Sequence, residues 1–166
     1  GFGCRLLAYD VAENPACLEL GVTYVDLPTL LGQSDIVSLH CPLLSSTYHL
    51  INAETLTHLK QGAMLINTSR GGLIHTRDVI DAIKSGRVGY LGIDVYEEEA
   101  DLFFEDLSDT VIQDDTFQLL QSFPNVVITS HQGFFTRNAL EAIATTTLNN
   151  IADVLGDRPC VNEVVN

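Results

Sequence analysis

Apolar runs of strand length recur along this chain, and the segments between them carry helix start and stop signals. The runs lie at residues 4–9, 23–25, 36–40, 63–67, 89–95 and 126–129. Asn14-Pro15 predicts an N-cap and first helical residue, with Gly21 as the stop. Asp26 predicts a cap for a helix over 27–31, Asn52 for one over 53–60 ended by Gly62, and Thr76 for one over 77–85 ended by Gly86. Strands alternating with helices define an α/β fold, a doubly wound parallel sheet. A last helix follows, because Leu140, Ile143, Ala144, Thr147, Leu148, Ile151, Val154 and Leu155 keep a 3.6-residue period up to Gly156.

Such a sheet puts its chemistry beyond the carboxyl ends of the strands, so the residues that close each run matter most. The run Ala63-Met64-Leu65-Ile66-Asn67 lacks alternation, as a strand covered on both faces does, and breaks into Thr68-Ser69-Arg70-Gly71-Gly72. Arg70 offers a planar fork of donors matched to a carboxylate, and the two glycines allow close backbone approach. The other runs end at or near Asp10, His40, Asp94 and His131. An arginine, a histidine and a carboxylate converging on one crevice form a site for polar acyl chemistry: the arginine anchors a carboxylate and the histidine exchanges a proton near neutral pH. A carboxylate beside that histidine favours its protonated form.

Eight basic against 22 acidic residues leave a net charge of -14, which argues against nucleic acid or an anionic membrane as partner. The four cysteines, Cys4, Cys17, Cys41 and Cys160, have neither CxxC spacing nor zinc-type histidines, so no metal site is expected. They read as reduced thiols used as small core residues, and a cytoplasmic location is the expectation. The stretch from Glu97 to Asp115 holds nine acidic residues and no lysine or arginine, a solvated loop in the main, with Leu102-Phe103-Phe104 expected to dock. No GxGxxG stands between a strand and a helix. Asp10 nevertheless sits where a ribose-binding acid belongs, roughly 20 residues beyond such a loop.

Four motifs are specific in combination: Val37-Ser38-Leu39-His40-Cys41-Pro42-Leu43, Asn67-Thr68-Ser69-Arg70-Gly71, Gly92-Ile93-Asp94-Val95-Tyr96-Glu97-Glu98-Glu99 and His131-Gln132-Gly133-Phe134-Phe135-Thr136. With them the chain resembles the D-isomer-specific 2-hydroxyacid dehydrogenases. The insert Asp101-Leu102-Phe103-Phe104-Glu105-Asp106 with Ile112-Gln113-Asp114-Asp115 is similar to the fermentative D-lactate dehydrogenase branch. The resemblance implies a Rossmann-like NAD-binding domain over residues 1–133, lacking its first strand and glycine loop, and a crossover helix and tail over 134–166 returning to a substrate domain. A partial chain is therefore the expectation.

The implied reaction is hydride transfer between nicotinamide and C2 of a small 2-oxo or 2-hydroxy acid such as pyruvate or D-lactate. Arg70 matches the residue that anchors the substrate, His131 the proton donor or acceptor, and Glu99 the carboxylate paired with it. Glu97 and Glu98 read as solvated neighbours. Asp10 matches the ligand of the adenosine ribose that favours NAD over NADP. His40, Cys41, Pro42, Thr68, Ser69, Asp94 and Gly133 match further cofactor contacts, Asp94 near the carboxamide. The family also implies a homodimer. Two alternatives stay open: another branch, such as hydroxyisocaproate or phosphoglycerate dehydrogenase, and an NADH-sensing interaction module on the same scaffold.

Overall fold

The computed structural model describes residues 2–99 and 112–164, and the chain divides into two compact units, Gly1–His131 and Gln132–Asn166. The acidic insert with Leu102-Phe103-Phe104 lies outside the described residues.

The first unit alternates strand and helix in the order β1 (Leu7–Ala8), α1 (Pro15–Glu19), β2 (Thr23–Tyr24), α2 (Leu27–Gln33), β3 (Ile36–Leu39), α3 (Ala53–Leu56), β4 (Ala63–Asn67), α4 (Thr76–Lys84), β5 (Val88–Ile93), α5 (Asp115–Ser122) and β6 (Val126–Ile128). All pairings are parallel: β1 with β2 in one small sheet, and β3-β4-β5-β6 in a four-stranded sheet. The capping side chains of Asn14, Asp26 and Asn52 each accept a backbone N–H in the first turn of the helix they precede. Asn52 forms a reciprocal capping box with Thr55, but α3 ends at Leu56, short of the expected residue 60.

Alternation decides where the core lies. Val37 and Leu39 of β3, Ala63 and Leu65 of β4, and Val88, Leu91 and Ile93 of β5 face one side and are buried. Leu31 of α2, Leu56 of α3, Val79, Ile80 and Ile83 of α4, and Phe117 and Leu120 of α5 close over them. Each such aliphatic side chain withdrawn from water contributes roughly 1.5 to 3 kcal/mol. The other face of β4 to β6 carries Met64, Ile66, Tyr90 and Val127 along a groove that ends at Thr68, Asp94 and Thr129. That corrects one expectation: β4 is buried on one face and only half-buried on the other.

One residue keeps β5 in phase. Ala63 pairs with Val88 but Met64 with Tyr90, so Gly89 is the extra residue of a bulge, and Val88 and Leu91 both face the core. A Cβ at Gly89 would stand 2.5 Å from the Gly62 carbonyl oxygen, so only glycine lets the strands approach there.

The second unit is dominated by α6 (Arg137–Leu155), which Thr136 caps through Ala139 N–H and Gly156 follows. None of its residues is buried, and the stripe Ile143, Leu148, Ile151 and Val154 is exposed. Among the described residues no helix is long and apolar enough to cross a membrane. All four cysteines are free thiols; Cys4 is exposed, against the expectation of a core role, because β1 begins only at Leu7.

Candidate active site

The ends of β4, β5 and β6 lie side by side, because Asn67 pairs with Ile93 and Ile93 with Ile128. Asn67 builds the turn that bears Arg70. Its side chain is 1% exposed, accepts the Ser69 N–H at 3.1 Å and donates to the Arg70 carbonyl at 2.9 Å. A buried amide so satisfied fixes the turn, whereas an apolar substitute would leave those backbone groups unpaired at about 1 to 3 kcal/mol. The Arg70 side chain is exposed, donates from Nη1 to the Ser69 carbonyl at 2.8 Å, and makes no ion pair with a carboxylate among the described residues. Its fork is thus carried at a strand end without a counter-ion among the described residues.

After Arg70 the chain passes under the turn that follows β5. A Cβ at Gly71 would stand 2.0 Å from the Tyr96 carbonyl oxygen, so this close approach of two backbones excludes every side chain. The Tyr96 turn in turn carries Glu99: Tyr96 N–H donates to Glu99 Oε2 at 3.0 Å, and Glu99 N–H reaches back to the Tyr96 carbonyl at 3.3 Å. The other oxygen, Oε1, lies 3.0 Å from Nδ1 of His131. The imidazole and carboxylate are both partly shielded, at 32% and 19% exposure.

His131 reaches that position through unusual backbone. Ser130 and His131 are both left-handed, each with φ of 55°. For non-glycine residues this costs on the order of 1 kcal/mol or more apiece, and such strain collects at functional positions. It is held by the His131 N–H on the Asp94 carbonyl and by the Thr129 hydroxyl on the Asp94 carboxylate, while Asp94 N–H donates to the Asn67 carbonyl at 3.0 Å. Asp94 therefore couples the ends of all three strands.

The remaining expected residues take several settings. Asp10 is exposed at the end of β1, with Oδ1 accepting the Val11 N–H at 2.6 Å. His40 is exposed and its Nε2 lies 2.8 Å from the Ser38 hydroxyl. Cys41 is half-buried; burial pushes its thiol up, away from thiolate chemistry, and its carbonyl accepts the Ser69 hydroxyl at 2.7 Å. Pro42 offers its carbonyl to the Thr47 hydroxyl at 2.7 Å, and Thr68 is exposed at the rim of the groove. Gly133 belongs to the second unit.

Two expectations are corrected here. Thr76 is the first residue of α4, and the N-cap position is taken by His75, which makes no side-chain capping bond. The cap comes from elsewhere: Glu97 Oε2 accepts both the backbone N–H of Thr76 at 3.1 Å and its hydroxyl at 2.9 Å. Glu97 is therefore no solvated neighbour. Its Oε1 lies 2.5 Å from Nε2 of His49, a ring stacked on Tyr48, and the Glu97 side chain is only 17% exposed. Glu98 is exposed, as expected.

Burial works to raise the Glu97 carboxyl, but the Thr76 backbone N–H, the His49 ring and the Thr76 hydroxyl outweigh it and hold the group below the usual carboxylate range. A group whose folded-state value is depressed stabilises the fold above its unfolded value, about 4.3, and loses that contribution as pH falls through the folded value. Thermal unfolding of Glu97→Gln is expected to fall below that of the parent protein near neutral pH, with the two curves converging below about pH 4. A gap that persists unchanged in acid would contradict the assignment.

A parallel α/β domain with an acid beyond its first strand, an arginine beyond β4 and a histidine–carboxylate pair beyond β5 and β6 has the layout of a dinucleotide-type scaffold, with a pair chemically able to exchange a proton at its strand ends. A family model described as the NAD binding domain of D-isomer specific 2-hydroxyacid dehydrogenases matches residues 1–133, and the chain belongs to that family. It is 52% identical to a D-lactate dehydrogenase of Escherichia coli strain K12 over 165 residues, 99% of this chain and 50% of the relative. Among solved structures, the pyruvate reductase of Chlamydomonas reinhardtii is 49% identical and superposes with a TM-score of 0.89, covering 96% of this chain and 49% of that one. The Aquifex aeolicus D-lactate dehydrogenase complexed with NAD and lactic acid is 34% identical, with a TM-score of 0.83 over 94% of this chain and 47% of its own. The chain thus spans about half the length of the relatives it matches.

Proposed function

We propose that this chain is the cofactor-binding part of an NAD-dependent D-2-hydroxyacid dehydrogenase whose substrate is a small 2-oxo acid such as pyruvate, reduced to D-lactate. The observation that carries the reading is the 3.0 Å contact between Glu99 Oε1 and His131 Nδ1 at the ends of the same strands that bear Arg70. NAD, when bound, supplies or accepts a hydride at its nicotinamide ring. The residues present fit it: the exposed Asp10 carboxylate is an acceptor for ribose hydroxyls, and Asp94 and Thr68 put polar groups at the far ends of β5 and β4. His40, Cys41, Pro42 and Ser69 complete the cofactor contacts proposed within the first unit.

In the reaction Arg70 binds the substrate carboxylate through its fork and orients C2. Glu99 occupies Nδ1 of His131, so the proton for the keto oxygen is delivered from Nε2, and in the reverse direction Nε2 takes the hydroxyl proton. The Glu99 carboxylate stabilises the imidazolium form that makes this donation possible. The free thiols agree with a reducing, cytoplasmic setting, and a homodimer completes the proposal.

The test is NADH oxidation by the full-length protein with pyruvate, 2-oxoisocaproate and phenylpyruvate, with the chirality of the product determined. A kcat/KM highest for pyruvate and a D-product are expected; preference for the bulkier acids moves the protein to another branch, and NADH binding without turnover of any of them defeats the dehydrogenase reading.

A further inference from the structure

Glu97 serves no step of the proposed reaction, yet three donors from two distant segments converge on its carboxylate. It stands in the turn that carries Glu99, and each anchor of that turn holds to a different element. Tyr96 is buried against Phe117 of α5 with its hydroxyl on Asp114 Oδ2 at 2.7 Å. Glu97 is tied to His49 and to the start of α4. Glu99 alone turns to His131.

The segments that hold Glu97 are also those that hold the Arg70 turn. His49 N–H donates to the Gly72 carbonyl at 2.8 Å, Ile51 N–H to Leu73 at 3.0 Å, and His75 N–H to Ile51 at 2.8 Å. Residues 47–51 and 71–76 are thereby one hydrogen-bonded unit, and the Glu97 carboxylate is the side chain that clamps the Glu99 turn onto it. The two backbones also meet at Gly71, a close approach that limits how near they come without fixing the Glu99 turn by a directional bond.

We propose that Glu97 is a positioning residue for the dehydrogenase reaction: with His49 and Thr76 it fixes the turn that aims Glu99 Oε1 at Nδ1 of His131, in register with the Arg70 segment. The inference rests on the function proposed above. A hydrogen bond of 3.0 Å weakens steeply with displacement, and misplacing a reacting group by about 1 Å costs on the order of a hundredfold in rate. Loss of the clamp is expected to reach part of that, about tenfold.

The test is a double-mutant cycle in the full-length protein, read in kcat for pyruvate with NADH affinity followed by fluorescence. Glu97→Ala is expected to lower kcat about tenfold beside Glu99 and less than about twofold in a Glu99→Gln background, with NADH affinity unchanged in both. Glu97→Gln keeps an acceptor for Thr76 and a donor for His49, and is expected to restore kcat to within about threefold of the parent. Thr76→Val removes one donor with little change of shape and serves the same cycle should Glu97→Ala fail to fold. Equal losses in the two backgrounds, or none in either, would overturn the positioning role while leaving the dehydrogenase reading intact. A parent protein that turns over no 2-oxo acid overturns both.

Discussion

Replacing His131 by alanine in the full-length protein is expected to lower kcat for pyruvate reduction about a hundred- to ten-thousand-fold, the range that positioned acid–base groups contribute, with NADH affinity nearly unchanged. The separation of the two effects follows from geometry. His131 meets Glu99 through Nδ1, and its backbone N–H, which the substitution keeps, is on the Asp94 carbonyl. The strand ends proposed to face the dinucleotide are therefore left in place. Little stability should be lost either, because the His131–Glu99 pair is partly exposed and such pairs contribute about 0 to 1 kcal/mol. Alanine tolerates a φ of 55° less well than histidine, adding a further penalty of at most about 1 kcal/mol. Steady-state kinetics beside a thermal melt reads both quantities. A variant that keeps more than a tenth of the parent kcat would remove His131 from proton transfer.

The contrast between what local sequence signals and what distant contacts determine is visible in this site. Strand ends are legible because an apolar run that stops at a polar residue is a local event: Asp10, His40, Arg70 and Asp94 could be placed from it, as could the caps at Asn14, Asp26 and Asn52. The partner of His131 is 32 residues away, and no spacing rule reaches it; only the likeness to a family supplied Glu99. The burial of Glu97 lies beyond local signals for the same reason. A glutamate in an acidic run is usually solvated, and its burial arises from His49 and Thr76, 48 and 21 residues distant. The helix α5 had a local signal that the acidic surroundings obscured: Asp114 accepts the Phe117 N–H as an N-cap, and Phe117 and Leu120 recur at a three-residue interval on the buried face. The bulge at Gly89 carries no local signal, since it depends on the register of the partner strand.

Arg70→Gln is expected to reduce kcat/KM for pyruvate by about 30- to several thousand-fold, equivalent to the 2 to 5 kcal/mol lost when one member of a hydrogen-bonded charge pair is removed. Most of the loss should appear in KM, with a share in kcat, because a carboxylate held at two points also fixes the angle at which C2 meets the nicotinamide. Arg70→Lys restores the charge without the planar fork and should recover only part of either parameter. The substitution tests binding and not folding. The Arg70 side chain is exposed, and the turn around it is built by Asn67, whose bonds go to the Arg70 carbonyl and the Ser69 N–H and survive the change. A surface replacement of this kind typically alters stability by less than about 0.5 kcal/mol, so the melting temperature should hold. In a chain with a net charge of -14, a cation with no carboxylate partner among the described residues would, under the proposed function, offset the surrounding negative field where the anionic substrate binds. The loss should accordingly shrink as substrate charge is removed, and a neutral 2-oxo amide or ester should be turned over equally poorly by Arg70→Gln and the parent protein. If the variant discriminates against the neutral analogue as strongly as the parent does, relative to pyruvate, Arg70 is not the carboxylate anchor.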